Sequence, residues 1–271
     1  IVTNQKCKDM LKDHLCIDED KFITVKDRET ISIGGRTLEF LLAPWVHWPE
    51  TMFTYSREDK ILFSCDFLGS HYASSSLFVD DEARVYEGAK RYYAEIMMPF
   101  STSIKKHLET IKALDDEMIA PSHGPVYPRP ETILDECSKW ISDKGKNEVI
   151  IVFVSMHGST EKMVNHLIDA LIDRGITVRP FNLTGTDLGE LAVSLIDAAT
   201  IVIATPTVLV GAHPEVAYAV SLVNALRPKL KFAGIIGSYG WGGKVVEQIT
   251  GMISNLKLEV LDPVLVKGHP K

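Results

Sequence analysis

Three side chains of metal-binding type stand at the ends of predicted strands in the first half of this 271-residue chain, namely His47, Asp66 and His123. Imidazole nitrogen together with carboxylate oxygen suits iron, zinc or manganese. A hairpin joins the strands that precede His47 and Asp66, so these two can converge at one edge of a sheet. Each residue also has a structural interpretation, because a histidine beside tryptophan is often packed and an aspartate after a strand is often a cap. The spacing leaves both interpretations open.

In the second half, the stretch 149–160 changes from apolar to hydroxyl-rich. A buried strand that leads through a small polar turn into a helix offers a phosphate unpaired N–H groups and a positive dipole end. Neither GxxxxGK[ST] nor GxGxxG is present. The alternative is an ordinary capped turn between strand and helix. The cofactor contacts predicted from this loop are Ser155, Met156, His157, Gly158, Ser159 and Thr160.

Two further loops are predicted at the same edge of the sheet. One is apolar and ends on glycine, and the other combines glycines with two aromatic residues. Glycines let backbone approach a ligand closely, and exposed Tyr and Trp can cover a flat ring. Together with the phosphate site of the first loop, these loops predict a phosphorylated planar cofactor, for which FMN is the best fit. The alternative is a glycine-rich loop that carries aromatic residues by chance. The predicted contacts are Pro206, Thr207, Val208, Gly211, Ser238, Tyr239, Gly240, Trp241, Gly242 and Gly243.

The elements that must position these loops alternate along the second half. Strands are predicted at 149–154, 177–183, 200–205, 232–236 and 260–266, and helices at 160–174, 190–196, 214–226 and 244–256. This alternation predicts a doubly wound parallel sheet, whose ligands bind beyond the carboxyl ends of the strands.

The first half reads as a meander of short strands followed by helices at 82–98 and 103–114. A polar linker at 140–148 predicts two domains, 1–143 and 148–271. Around His47, Trp48 and Tyr55 either shape a pocket or pack in the core. His71 lies either near the metal or on the surface, and Glu50 is expected to be a solvated loop charge.

Composition excludes several classes of protein. The net charge of −7 argues against a general nucleic-acid or anionic-membrane partner. No apolar run is long enough to cross a bilayer. The four cysteines form no CxxC pair, which favours a reduced, cytoplasmic location.

Three segments of the first half, LLAPWVHWPETMFTY, FSCDFLGS and APSHGPVY, resemble motifs of the flavodiiron proteins. In the second half, SMHGSTEKM and GSYGWGGK resemble the flavodoxin-like domain of the same family. The resemblance implies an α/β fold with a partial metallo-β-lactamase-like (αβ/βα) domain. A flavodoxin-like doubly wound parallel sheet of order 2-1-3-4-5 would follow it.

The resemblance also implies a ligand set. His47, Asp66 and His123 would bind a di-iron centre that Asp66 bridges, and no catalytic residue beyond the metal ligands is expected. The family's other ligands come from an HxExDH motif, and no HxExD occurs in this sequence. We therefore expect a fragment truncated at both ends, with the remaining ligands upstream of Ile1.

The implied activity is reduction of O2 to water, of NO to N2O, or of both, with FMN feeding electrons to the irons. The electron donor would be a protein such as rubredoxin or a reduced deazaflavin, F420, and the assembly a head-to-tail homodimer. Neither nucleic acid nor a membrane is an expected partner. Two alternatives stay open: a flavodoxin-type FMN electron-transfer module with a degenerate metal site, and a zinc hydrolase, against which the FMN loops argue.

Overall fold

The computed structural model describes all residues from Ile1 to Lys271. The chain divides into two compact units, Ile1–Ile141 and Ser142–Lys271. None of its helices combines the length and the apolar character needed to span a bilayer.

The first unit contains a sheet of order β3-β4-β5-β6-β7, antiparallel except for the parallel pair β6 and β7. A separate two-stranded pair, β1 and β2, lies outside it. The strands are β1 Val2–Thr3, β2 Ile23–Thr24, β3 Thr30–Ser32, β4 Thr37–Leu42, β5 Met52–Ser56, β6 Ile61–Phe63 and β7 Met118–Ala120. The helices are α1 Gln5–Leu15, α2 Glu82–Tyr92, α3 Ser101–Lys112 and α4 Glu131–Trp140.

The helical region of this unit differs from the predicted pattern in two respects. Helix α2 ends at Tyr92, and a π turn, Tyr93–Met97, and a 3-10 turn, Met98–Phe100, follow it directly. Pro99 lies in that 3-10 turn and separates α2 from α3, within the gap between the predicted helices 82–98 and 103–114. Helix α4 was not predicted. It buries Ile133, Leu134, Cys137 and Trp140 on one face.

The core beneath the sheet is aromatic. The rings of Phe53 on β5 and Phe67 after β6 stack at a centroid distance of 5.9 Å, and both side chains are fully buried. Phe53 and Tyr55 alternate with partly exposed residues along β5, as expected for a strand with one face on the core. This packing fixes the chain directly after Asp66.

The second unit is a doubly wound parallel sheet, which confirms the predicted order. Its strands are β8 Lys146–Phe153, β9 Thr177–Asn182, β10 Ala198–Val208, β11 Gly211–Ala212, β12 Phe232–Tyr239, β13 Glu259–Val260 and β14 Val264–Lys267. The helices are α5 Ser159–Ile172, α6 Leu188–Leu195, α7 Pro214–Leu226 and α8 Val245–Met252. The strands lie side by side in the order β13-β12-β10-β8-β9. When the strands of this path are numbered 1 to 5 along the chain and read from the β9 edge, the order is 2-1-3-4-5.

One predicted strand is broken in two. The expected strand 260–266 is β13 and β14, which pair with different parts of β12. Pro263 lies between them and has no N–H to donate to the sheet. Another proline, Pro180, is tolerated in β9 because that strand is at the sheet edge.

The centre of this sheet packs in an apolar core. Val149, Ile151 and Phe153 of β8 pack with Val164 of α5 and with β10. Truncating a fully buried residue such as Ile151 to alanine costs roughly 2–5 kcal/mol. A rigid sheet of this kind holds the loops at its carboxyl edge in fixed relative positions.

Candidate metal centre and cofactor cavity

In the first unit, Asp66 lies between two imidazoles. Its Oδ2 is 3.3 Å from Nε2 of His47, and its Oδ1 is 3.3 Å from Nε2 of His123. The three residues follow β4, β6 and β7, and the parallel pairing of β6 with β7 places Asp66 and His123 at the same sheet edge. The structure thus brings together all three residues that the sequence singled out.

Backbone hydrogen bonds tie the two loops that carry these ligands. Ser122 N donates to Cys65 O at 2.7 Å, and Ser70 N donates to His123 O at 3.1 Å. A β-carbon on Gly69 would come within 3.3 Å of both the His123 side chain and the Tyr92 ring. A side chain at Gly69 would require these neighbours to shift by a few tenths of an ångström, so glycine allows the loops to approach closely.

The backbone around Asp66 is sharply turned. Cys65 and Leu68 have positive φ angles of 54° and 63°, in the left-handed region that non-glycine residues rarely adopt. The hydroxyl of Ser64 is buried and donates to Phe67 O at 2.7 Å, which closes the turn. Strained backbone of this kind is common at functional sites.

The three predicted ligands do not by themselves complete a metal site. No group of three or more His, Cys, Asp or Glu side chains is arranged to hold one metal ion. Each histidine instead pairs with a different oxygen of Asp66. Two ligands at about 2.1 Å from one ion and at right angles to each other lie about 3 Å apart. Both nitrogen–oxygen pairs are close to that separation, although each ion would need further ligands.

The carboxylate of Glu50, whose charge acts on the thiol of Cys65 next to Asp66, has an oxygen without a partner. Glu50 Oε2 is buried without a hydrogen bond, so the prediction that Glu50 is a solvated loop charge is wrong. A buried carboxylate oxygen without a donor is costly unless a cation or a proton compensates it. This orphaned oxygen fits a centre that normally carries positive charge.

Aromatic rings surround the imidazoles. Phe100 and Trp48 lie 6.0 and 6.4 Å from the ring of His47, and Tyr92 lies 5.7 Å from that of His123. Burial, with the Asp66 carboxylate as the second cause, raises the pKa of Tyr92, whose hydroxyl therefore keeps its proton. Tyr55 is a core residue instead, since its hydroxyl donates to Asp115 O at 2.9 Å.

His71 joins a chain of polar contacts at this side of the unit. Its Nδ1 is 3.3 Å from Glu95 Oε2, and the other oxygen of Glu95 accepts from Arg91 at 2.9 Å. The ring stands edge-on to Tyr92 at 4.9 Å. His71 and His123 both line an open cavity of about 510 Å³. The structure thus places His71 on the same cavity as a predicted ligand, without placing it among the ligands.

In the second unit, a cavity of about 520 Å³ opens at the carboxyl edge of the parallel sheet. All three predicted loops contribute to it. The predicted residues that line it are Ser155, Met156, His157, Ser159, Thr160, Pro206, Thr207, Val208, Ser238, Tyr239, Gly240 and Trp241. The structure adds Leu209, Gly268 and His269, which the sequence reasoning missed.

One end of this cavity is built to receive an anion. Helix α5 begins after its N-cap residue Gly158, which has a φ of +79° and no side chain of its own that could cap the helix. The N–H groups of Ser159 and Thr160 in the first turn therefore have no partner within the helix. Ser155 Oγ accepts from Glu161 N at 3.2 Å, and the buried hydroxyls of Thr160 and Ser238 lie 3.3 Å apart. A phosphate fits this combination of hydroxyls, amides and helix dipole.

The other end is apolar and exposed. Trp241 and Leu209 are 95% and 96% accessible, and Met156 is also exposed. Large apolar side chains so fully in solvent around one cavity indicate a binding surface. A planar ring that stacks on Trp241 would cover part of it.

Two of the loops are fastened to each other. Leu209 and Val210, both at positive φ, form the two-residue turn of the β10–β11 hairpin, and Lys244 N donates to Val210 O at 2.7 Å. Gln248 Oε1 accepts from Ala212 N at 2.8 Å. A β-carbon on Gly243 would lie 2.8 Å from Val210 O. Gly158, Gly211, Gly242 and Gly243 do not line the cavity, and Gly158 and Gly243 instead shape the backbone that frames it.

Comparison with known proteins gives consistent results for both units. The family described as "ODP family beta lactamase" matches residues 1–124. A nitric oxide reductase of Moorella thermoacetica is 34% identical over 96% of this chain and 67% of its own length. Among solved structures, the rubredoxin oxygen:oxidoreductase of Desulfovibrio gigas aligns with a TM-score of 0.94 at 28% identity, over 100% of this chain and 70% of that one. The flavodiiron protein of Giardia intestinalis aligns with a TM-score of 0.92 at 30% identity, over 100% and 68%. This chain thus spans about two thirds of the length of the proteins it matches.

Proposed function

This chain belongs to the flavodiiron proteins, a family of oxidoreductases, and from that premise we propose that it takes part in the reduction of O2 to water, of NO to N2O, or of both. Residues 1–143 would form the metallo-β-lactamase-like domain and 148–271 the FMN-binding domain. When bound, FMN supplies single electrons and a non-haem di-iron centre supplies the site where the gas is reduced. The remaining chemistry rests on side chains that bind, orient and deliver protons.

We assign the metal-binding role to His47, Asp66 and His123. Asp66 would bridge two irons, since its two oxygens face different imidazoles at 3.3 Å. This arrangement is the observation that carries the proposal, because an electron-transfer module has no use for it. Further ligands would complete each iron.

Tyr92 is suited to hold a proton near the reacting gas. Its hydroxyl stays protonated because burial raises its pKa, and its ring lies 5.7 Å from that of His123. Reduction of either gas consumes protons as well as electrons. Because the raised pKa makes the Tyr92 hydroxyl a weaker acid, it would give up its proton only as negative charge develops on the gas. His71 and Glu95 lie behind it, towards solvent.

FMN binding is assigned to the three loops of the second unit. Ser155, Ser159 and Thr160 would hold the phosphate, while Tyr239 and Trp241 would cover the ring. The name of the Desulfovibrio gigas protein supports rubredoxin as one electron donor. The coenzyme F420H2 oxidase of Methanothermobacter marburgensis, which is 30% identical to this chain, supports reduced F420 as another candidate. We propose a cytoplasmic, head-to-tail homodimer, which sedimentation of the active protein tests, since a fully active monomer would contradict it.

The product of O2 reduction separates this function from the main alternative. Protein loaded with FMN and Fe(II) should reduce O2 to water when its flavin is photoreduced, and Asp66→Asn should release hydrogen peroxide instead. Free reduced flavin gives peroxide, so a peroxide yield near that of free FMN in the wild type would favour the electron-transfer module. Zinc content with hydrolytic activity and no flavin absorbance would favour a hydrolase.

A further inference from the structure

A histidine outside all predicted motifs lies at the anion-binding end of the cavity in the second unit. His269 lines that cavity, and its Nδ1 is 3.4 Å from Ser159 Oγ in the first turn of α5. It lies in the segment that follows β14, the fifth strand of the sheet. This segment therefore supplies a wall of the cavity in addition to the three loops already described.

The position of His269 is fixed from two sides. On one side, β14 pairs with β12, and Gly268 N donates to Tyr239 O at 2.8 Å. Gly268 has a φ of +73°, which turns the chain back towards α5. On the other side, Lys162 Nζ donates to Pro270 O at 2.9 Å. The imidazole thus lies against the helix start without depending on its own contact with Ser159.

The anion-binding end of the cavity has no cationic side chain that would bind a phosphate in place of the His269 imidazole. No lysine or arginine lines the cavity. Helix α5 carries the carboxylate of Glu161 in its first turn, and the ammonium of Lys162 is directed to Pro270 O. Lys267 and Lys271 flank the segment but do not line the cavity. A phosphate monoester carries a charge of about −1.5 to −2 at pH 7, so its binding here needs donors beyond the neutral hydroxyls.

The ring of His269 has such a donor available. A neutral imidazole whose Nδ1 accepts from the Ser159 hydroxyl carries its hydrogen on Nε2. The structure gives the ring no hydrogen-bond partner other than Ser159. Building on the proposed FMN site, we infer that His269 donates a hydrogen bond to the phosphate of the flavin and makes this site select FMN over riboflavin, which lacks the phosphate.

Titration of the apo-protein with FMN and with riboflavin at pH 7, followed by quenching of flavin fluorescence, tests this inference. His269→Ala should raise the Kd of FMN about tenfold, the value of one hydrogen bond to a charged group, and change the Kd of riboflavin by less than about twofold. His269→Gln retains a donor and should recover part of the loss. His166→Ala is the matched control, because His166 lies on α5 outside this cavity. The ³¹P resonance of bound FMN should shift in H269A and stay unchanged in H166A.

Two results would overturn the inference about His269 without affecting the proposed FMN site. One is an unchanged FMN affinity in H269A, and the other is an equal loss for both flavins, which would indicate packing rather than phosphate recognition. Wild-type protein that binds neither flavin would overturn the FMN site itself and the inference with it.

Discussion

The metal-type residues of the first unit were recognisable from the sequence because each carries its chemistry in its own side chain. His47, Asp66 and His123 could be named from residue type and from their places after strands. What the sequence could not provide was the pairing of each imidazole with a different oxygen of Asp66. That pairing depends on the turned backbone at Cys65 and on loop-to-loop hydrogen bonds, which have no signature in residue type.

Tyr92 gives a prediction about proton delivery. Tyr92→Phe removes the hydroxyl next to the proposed centre, and we expect gas reduction to slow by at least about tenfold with unchanged iron and FMN content. Steady-state turnover of the loaded protein measures this. Tyr86→Phe is the control, because burial raises the pKa of that tyrosine too, but it stacks on Tyr127 instead. Equal turnover in Y92F and Y86F would exclude the role of Tyr92.

Asp116 gives a prediction about stability and pH. Burial raises the pKa of this carboxyl to about 6, and one of its oxygens has no hydrogen-bond partner. Folding thus favours the protonated form, so its contribution to stability is present below about pH 4 and is lost as the pH rises through 6. Asp116→Asn should remove this dependence and stabilise the protein at pH 7 by about 1 kcal/mol, allowing for the water that still reaches the group.

Chemical denaturation at pH 4 and at pH 7 tests the effect of D116N. The exposed Asp135 provides a control, and D135N should leave the difference between the two pH values as in the wild type. If D116N keeps the wild-type difference in the free energy of unfolding, the carboxyl does not titrate as described.

At the scale of elements, the alternation of strands and helices in the second half was predictable, since buried parallel strands read as continuous apolar runs. The break of the last strand was not predicted, although Pro263 marks its place. His269 was missed for a different reason, because the residues after β14 look like a terminus in sequence. Helix α4 was missed as well, and its burial of Ile133 and Trp140 becomes visible only with its packing partners.

The contact between the two ring-covering loops gives a prediction at this scale. Gly243→Ala would place a β-carbon 2.6 Å from the Thr207 side chain and 2.8 Å from the backbone oxygen of Val210. The backbone of Val210 cannot move without shifting its whole loop, so the two loops must separate. We therefore expect FMN affinity to fall by more than about tenfold. Gly251→Ala in α8 meets no atom within 4 Å and serves as the control. Equal FMN affinities of G243A and G251A, measured by fluorescence titration, would contradict this coupling.

At the scale of the whole molecule, the family could be identified from sequence because both halves carry motifs that occur together. Comparison with solved structures bears this out, with a TM-score of 0.94 over the full chain. The preference for O2 or NO does not follow from the fold, since a nitric oxide reductase and an oxygen oxidoreductase both align with it. That preference would depend on groups around the proposed irons, among which Tyr92 and His71 are candidates on this chain.

The most direct test of the proposed function is the iron content of FMN-loaded protein reconstituted anaerobically with Fe(II), compared between wild type and Asp66→Asn. An asparagine offers one oxygen and one NH₂ group, so it cannot bridge two cations as a carboxylate does. In protein that also carries the further ligands each iron needs, we predict about two irons per bound FMN in the wild type and loss of most iron in D66N, with FMN binding unchanged. Wild-type protein that is saturated with FMN but holds no iron would contradict the assignment and leave an electron-transfer module.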